Sequence, residues 1–159
     1  MLLKWIVCDV GEETRASFSA AQTQWGKLAS ALGFLGQIGG WDTRTGDRAC
    51  IISLWRDLTS YESFMGRLHD EIVAESGQIQ TYRSISVTLF DDMMGMPGSR
   101  GMILEDLEEG KTVRVADCTL KRGREGHFVE MQRDSWIPGM GLAPGMLGGV
   151  FSRAHDGTH

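Results

Sequence analysis

Residues 1–92 alternate between short apolar runs and amphipathic segments, and this pattern predicts a series of strands and helices. Residues 2–10 are rich in Ile, Val and Trp, which is typical of a strand. In residues 12–32 apolar side chains recur at three- and four-residue steps, which indicates an amphipathic helix. Residues 34–41 predict a glycine-rich strand, and residues 49–55 predict a strand that is apolar on both faces.

A second helix and a further strand complete this part of the chain. Thr59 and Glu62 have the spacing of a capping box. The helix behind them carries an apolar stripe, formed by Tyr61, Phe64, Met65, Leu68 and Ile72. Residues 84–90 alternate between apolar and hydroxyl side chains, as in a strand with one wet face. The order βαββαβ predicts an α+β, ferredoxin-like unit over residues 1–92, with both helices on one face of an antiparallel sheet.

The other face of this predicted sheet has no helix to cover it, although the central strand places apolar side chains on both faces. An apolar sheet face without a helix usually packs against another sheet. We therefore expect a homodimer that forms through sheet-to-sheet packing, or pairing with a second unit of the same chain.

A weaker copy of the pattern follows a Met- and Gly-rich linker at residues 93–110. Residues 113–120 predict a strand, residues 126–136 a helix, and residues 145–153 a second glycine-rich strand. Like residues recur at offsets of 110 or 111, which indicates an internal repeat: Cys118 with Cys8, Phe128 with Phe18, and Trp136 with Trp25. Residues 111–159 are thus predicted to be a partial second ferredoxin-like repeat of order β-α-β, either natively short or truncated.

Composition and charge limit the classes of binding partner and the cellular location that we expect for this protein. The chain has 16 Lys and Arg against 21 Asp and Glu, a net charge of −5, which argues against nucleic acid or an anionic membrane as the main partner. The N-terminus lacks the basic leader and cleavage site of a signal peptide, and no apolar window is long enough to span a membrane. We expect a cytoplasmic protein.

Motifs for metals, disulfides and phosphates are missing from the sequence. The three cysteines are widely spaced without a C-x-x-C pair, which argues against a zinc site and a disulfide framework, and no metal site is expected. Neither glycine-rich stretch has the spacing of a dinucleotide or phosphate loop.

Several segments of the chain resemble the dimeric α+β barrel superfamily: residues 34–41 (FLGQIGGW), 51–56 (IISLWR), 61–64 (YESF) and 68–70 (LHD). That superfamily includes antibiotic-biosynthesis-type and haem-degrading monooxygenases, and the likeness is greatest to an uncharacterised YdbC-like branch. The resemblance covers residues 2–91 well and residues 111–155 faintly. It implies sheet-to-sheet packing and a cofactor-independent, monooxygenase-like enzyme acting on a small aromatic molecule. The alternative is a non-catalytic barrel that binds a small ligand or only assembles.

His69 is the candidate catalytic residue. It borders the apolar stripe of the second predicted helix, where a histidine can act as a general base or as an axial ligand to haem iron. The resemblance implies that haem degradation also needs a strand Asn and a helix Trp. This sequence has no Asn, and Phe64 is the nearest aromatic residue at the helix position. Haem binding is therefore the least favoured function, no cofactor is expected, and His69 is otherwise a partly exposed helix residue.

The candidate ligand-binding residues are aromatic and apolar side chains of the strands and the second helix: Trp5, Trp41, Trp55, Tyr61, Phe64 and Met65. The three tryptophans lie on or beside strands, where they can line a pocket between helices and sheet. A buried indole N–H needs a partner, which suits a polar pocket but also a packed core. Trp25 and Trp136 lie on inner helix faces and are predicted to be core residues.

Overall fold

The structure is a computed structural model that describes residues 1–96 and 110–155. The chain divides into two compact units, Met1–Phe90 and Asp91–His159. The strands are β1 (Leu2–Asp9), β2 (Phe34–Trp41), β3 (Arg48–Trp55), β4 (Ser84–Met96) and β5 (Gly149–Ala154). The helices are α1 (Arg15–Gln22), α2 (Leu58–Met65), α3 (His69–Ser76), α4 (Glu125–Met131) and α5 (Ile137–Gly141).

In the first unit the strands lie in the order β2-β3-β1-β4, and β3 pairs antiparallel with both β1 and β2. In the first unit β1, α1, β2, β3, the pair α2 and α3, and β4 follow one another in ferredoxin-like order, so the predicted fold class is confirmed. The boundaries of β1, β2 and β3 lie within one residue of the predicted ones. Strand β4 runs to Met96 and therefore includes residues 93–96 of the predicted linker. Apart from Gly110, the rest of that linker lies outside the described residues.

The register between strands decides which side chains face the helices. Lys4 on β1 pairs with Ser53 on β3, which in turn pairs with Gln37 on β2. Since successive side chains of a strand point to opposite faces, Ile51, Ser53 and Trp55 share one face. Trp55 packs in a buried cluster with residues of α2 and α3, so this is the helix-covered face. Alternate residues of β3, such as Ile52, lie on what we call the second face.

The first predicted helix of this unit is interrupted. The predicted helix 12–32 consists of α1 between two 3₁₀ helices, Glu12–Thr14 and Thr23–Ser30. Gly33 follows with φ +79°, and a Cβ there would lie 2.3 Å from Ser60 Oγ, so glycine is required to enter β2.

The N-cap of α2 differs from the prediction. The capping box at Thr59 and Glu62 is wrong, because Asp57 is the N-cap and its carboxylate accepts a hydrogen bond of 2.8 Å from Ser60 N. Hydrogen bonds from the Ser60 side chain and backbone, and from Arg56, lower the pKa of Asp57 to about 2. The carboxylate therefore stays ionised at neutral pH and continues to cap α2.

The core of the first unit lies between the helix-covered face and the helices. Its buried members form two clusters: Leu2, Leu28, Trp55, Tyr61, Phe64 and Ile72 in the first, and Cys8, Val10, Phe18, Ala49 and Ile51 in the second. Trp55 is fully buried, stacks on Phe64 with ring centroids 4.9 Å apart, and donates from Nε1 to Ser53 Oγ at 3.2 Å. The indole is therefore held by packing and by one hydrogen bond.

The second unit agrees less well with the sequence pattern. Helix α4 continues through a π-helix, Gln132–Trp136, into α5. The predicted strand at residues 113–120 is wrong, since this segment forms no strand and is mostly exposed. Trp136 is 58% exposed, so the prediction that it belongs to a core is also wrong. The internal repeat stays a prediction.

Candidate functional site

A cleft opens on the helix-covered face between α1 and strands β2 and β3. Its wider part, the outer cleft, has a volume of about 310 Å³. A narrower part of about 30 Å³, the inner cavity, is lined by residues of β1, β3, the helices and β4. Gln22, Gln37 and Ile51 border both spaces, so the inner cavity lies directly beside the outer cleft.

The outer cleft has aromatic walls and a floor of small residues. Phe18 of α1 and Trp41 of β2 meet edge to face with ring centroids 5.9 Å apart. The Arg15 guanidinium lies 4.0 Å from the centre of the Trp41 ring, which orients the indole. Gly39 and Ala49 line the space with little or no side chain. The aromatic walls stand beside the polar side chains of Ser19, Gln22 and Gln37, and the volume lies near the lower end of the range for ligand sites, about 300–1,000 Å³.

A row of polar side chains crosses the helix-covered face at the inner cavity. Lys4, Ser53 and Gln37 are register partners on β1, β3 and β2, and all three line the cavity. The opposite wall carries Gln78, whose Oε1 accepts hydrogen bonds from Trp25 Nε1 at 2.8 Å and Gln22 Nε2 at 3.1 Å. The inner end of the cleft is therefore polar, although its surroundings are apolar.

Lys4 is the unusual member of this row. Its side chain is buried, with 6% of the residue exposed, and Nζ lies 5.2 Å from the Tyr61 ring centre and 6.0 Å from that of Phe64. Among the residues that the structure describes, Lys4 has no hydrogen bond and no ion pair. Burial lowers the pKa of Lys4 to about 8, because the charged ammonium is poorly solvated there.

The other titratable groups near Lys4 remain neutral at neutral pH. Burial, with a smaller contribution from Cys50, raises the pKa of the Cys8 thiol to about 11. Burial also raises the pKa of Tyr61. No carboxylate lines the outer cleft or the inner cavity in the described part of the chain. Lys4 is thus the one charged side chain on the described walls of these two spaces.

The structure brings three predicted ligand-binding residues to the cleft. Trp55 and Phe64 line the inner cavity, and Trp41 lines the outer cleft. Tyr61 is buried in the core and Met65 is partly buried against it, and neither lines the two spaces.

Trp5 and His69 lie elsewhere. Trp5 lies between Lys4 and Ile6 on β1, so its side chain points to the second face and lines neither space, and its role in ligand binding stays a prediction. The His69 ring packs 5.7 Å from that of Phe64 and 5.8 Å from that of Trp25, and its Nδ1 lies 2.8 Å from Asp70 Oδ1. His69 touches two residues of the inner cavity without lining it, and its catalytic role stays a prediction.

The described residues contain neither a cluster of metal ligands nor a helix of membrane-spanning type. In residues 1–96 and 110–155 no group of three or more His, Cys, Asp or Glu side chains is placed to hold a metal ion. No described helix is long and apolar enough to cross a membrane. The predicted cytoplasmic location stays a prediction.

Comparison with known proteins identifies relatives of this chain. It is 38% identical over 95 residues to the uncharacterised protein YdbC of Bacillus subtilis, covering 58% of this chain and 79% of YdbC. A monooxygenase-like protein of Fusobacterium nucleatum has a similar structure, with a TM-score of 0.69 and 13% identity over 99% of this chain and 70% of that one. SnoaB of Streptomyces nogalater, a cofactor-independent oxygenase solved as a mutant, has a TM-score of 0.51 and 12% identity over 58% of this chain and 93% of its own.

At these identities the solved structures establish the fold, which is that of antibiotic-biosynthesis-type monooxygenases, as the sequence predicts. The similarity to YdbC confirms the predicted branch. Residues 2–90 match the family described as domain of unknown function DUF4937. This match spans more than half of the chain, which therefore belongs to the DUF4937 family.

Proposed function

We propose that this protein is a cofactor-independent, monooxygenase-like enzyme that acts on a small aromatic molecule bound in the outer cleft. The observation that carries the proposal is the outer cleft itself, a space of about 310 Å³ that Phe18 and Trp41 both line and that lies next to a polar inner cavity. The fold that it shares with SnoaB, a cofactor-independent oxygenase, supports the same reaction class. Since one fold hosts many functions, the proposal depends on the cleft more than on this likeness.

An oxygenase that uses no cofactor needs a substrate that supplies the electrons itself. Naphthols meet this requirement, because ionised naphthol is electron-rich. In the balanced reaction 1-naphthol and O2 give 1,4-naphthoquinone and water, so that one oxygen atom enters the ring and the other leaves as water. The protein would hold the ring against Trp41, exclude water and orient the hydroxyl group.

His69 is proposed as a general base on the evidence of the sequence alone, because it borders the apolar stripe of the second predicted helix. Its contacts with Trp25 and Phe64 support a second role, in which the imidazole fixes two rings that line the inner cavity. The predicted homodimer through sheet-to-sheet packing likewise stays a proposal, with pairing of two repeats in one chain as its alternative. Its support is the apolar second face, where Trp5 and Ile52 are half-buried register partners.

The alternative function is a non-catalytic protein that binds a small ligand in the same cleft. The lining residues favour it in one respect, since the described walls carry no carboxylate and no imidazole for acid–base chemistry. The two functions share the ligand site and differ in whether O2 is consumed.

Two neighbouring glycines provide a matched test. On β2, Gly39 pairs with Ile51 and Gly40 pairs with Cys50, so side chains introduced there point to opposite faces. Neither glycine has a positive φ, and a Cβ at Gly39 meets only ordinary contacts. We expect Gly39→Leu to fill the outer cleft, and Gly40→Leu, whose backbone also borders the cleft, to carry its new side chain on the second face instead.

The experiment incubates each protein with 1-naphthol or 1,5-dihydroxynaphthalene under ¹⁸O2 and measures the quinone by mass spectrometry. We expect the wild type and Gly40→Leu to form quinone carrying one ¹⁸O atom, and Gly39→Leu to lose about tenfold or more of the rate, as for about 1.4 kcal/mol of lost binding. If 1-naphthol binds without any turnover, the ligand-binding alternative replaces the oxygenase. If Gly39→Leu and the wild type behave alike, the cleft is not the site.

A further inference from the structure

We infer that Lys4 binds an ionised oxygen of the ligand in the inner cavity, so that the substrate class is an acidic phenol or enol held as its anion. This inference deepens the proposed function and depends on it for the ligand's place in the outer cleft. It arises from a buried lysine for which the described residues provide no counter-charge.

The first argument is electrostatic. A buried ammonium group is costly unless an opposite charge or hydrogen-bond acceptors compensate it. Lys4 Nζ lies over the faces of Tyr61 and Phe64, and the Lys4 side chain makes no ion pair or hydrogen bond among the described residues. The titratable groups that face it, Tyr61 from α2 and Cys8 from β1, are neutral at neutral pH. A ligand anion would supply the counter-charge that the described walls lack.

The second argument is the size of the inner cavity. Its volume of about 30 Å³ gives room for about two water molecules and is about a tenth of the volume of the outer cleft, so it suits a small group better than a ring. A ligand whose ring occupies the outer cleft would therefore extend a single small group past Gln22 and Gln37 towards Lys4. An oxygen atom bonded to the ring has the required size.

The third argument is the set of donors beside Lys4. Ser53 Oγ accepts the Trp55 Nε1 hydrogen bond of 3.2 Å, so its own hydroxyl hydrogen is available to a ligand. The Gln37 side chain lines both spaces and makes no hydrogen bond within the described residues. An ammonium, a hydroxyl and an amide in one row can satisfy the several lone pairs of an oxyanion. A cationic ligand would meet repulsion there.

This arrangement has a chemical consequence for the proposed reaction. When neutral Lys4 takes the proton of a bound phenol, the products are an ammonium and a phenolate, and no other reactant is needed. The phenolate donates electrons to O2 more readily than the phenol does. Lys4 would then be a catalytic residue, because its ammonium touches the reacting molecule.

The test compares 4-nitrophenol, which absorbs differently in its two protonation states, with 4-nitroanisole, which cannot ionise. Below the pKa of the free phenol, we expect the wild-type protein to bind 4-nitrophenol with the spectrum of the phenolate. We expect Lys4→Met to weaken 4-nitrophenol binding about tenfold to a hundredfold, the range for a hydrogen bond to a charged group. Binding of 4-nitroanisole should not change.

The control is Lys121→Met, which removes an exposed lysine of the second unit. Lys4→Gln serves as a second variant if Lys4→Met does not fold, with circular dichroism as the check. A bound probe that stays neutral, or a Lys4 variant that binds both probes as the wild type does, would overturn the inference. This experiment measures binding and not turnover. A protein that binds 4-nitrophenol as expected but does not oxygenate 1-naphthol would therefore contradict the proposed oxygenase and not the proposed role of Lys4. If neither probe binds to the wild type, both proposals fail.

Discussion

Trp55→Ala is expected to lower the free energy of unfolding by about 3–5 kcal/mol, the usual cost of truncating a buried Trp or Phe. Trp55 has no exposed surface, stacks on Phe64 at 4.9 Å and meets Phe34 and Tyr61 edge to face at 5.3 and 5.8 Å. Removing the indole leaves a cavity between the sheet and α2 that rigid strands cannot close. Urea unfolding followed by far-ultraviolet circular dichroism measures the loss.

Trp136→Ala is the matched control, because the same side chain is removed from an exposed position. We expect a change within about 0.5 kcal/mol, as for surface substitutions in general. Equal losses in the two variants would contradict the assignment of Trp55 to the centre of the core.

Lys4→Met is expected to raise the free energy of unfolding and so to stabilise the protein, in contrast to Trp55→Ala. The lowering of the Lys4 pKa from 10.5 to about 8 corresponds to about 3 kcal/mol of free energy that the fold loses by burying the charge. Methionine has a similar length and no charge, so the variant should gain most of this amount at neutral pH. Chemical unfolding of both proteins at several pH values measures the difference.

The pH dependence follows from the direction of the shift. Between about pH 8 and pH 10.5 the unfolded chain holds the Lys4 proton more tightly than the folded chain, so wild-type stability rises with pH in that window. The advantage of Lys4→Met should therefore be complete below about pH 8 and disappear above about pH 10.5. Lys121→Met should show no such profile. An advantage that does not depend on pH would mean that Lys4 is not a buried ammonium.

The fold of the first unit was predictable because its signals are local and agree with one another. The apolar run of β3 and the alternation of β4 each indicate a strand without reference to any contact. The N-cap of α2 was assigned wrongly, since Thr59 and Glu62 match a motif by spacing alone. Asp57, two residues earlier, accepts the Ser60 hydrogen bond instead.

The site was less predictable, because it depends on register between strands. The alternation of β1 places Lys4 on a face with Leu2, Ile6 and Cys8, and a lone lysine among apolar neighbours was the available signal. Its alignment with Ser53 and Gln37 comes from pairing, which the sequence does not encode locally. The same alternation excludes Trp5 from the pocket.

The second unit shows that an alternation of apolar and polar residues is not sufficient to predict a strand. Val113 and Val115 alternate with polar residues as in a strand, yet both are about half exposed and the segment forms no strand. A strand needs a partner to satisfy its backbone, and periodicity does not identify one.

The central claim is that the protein holds an aromatic ring in the outer cleft and the oxygen of that ring at Lys4. A crystal structure of the protein with 1-naphthol bound tests it most directly. We expect the ring in the outer cleft, beside Phe18 and Trp41, with the naphthol oxygen about 3 Å from Lys4 Nζ, a charge-assisted hydrogen bond. A ring bound on the second face, or an oxygen that points to solvent with Lys4 uncontacted, would contradict the account.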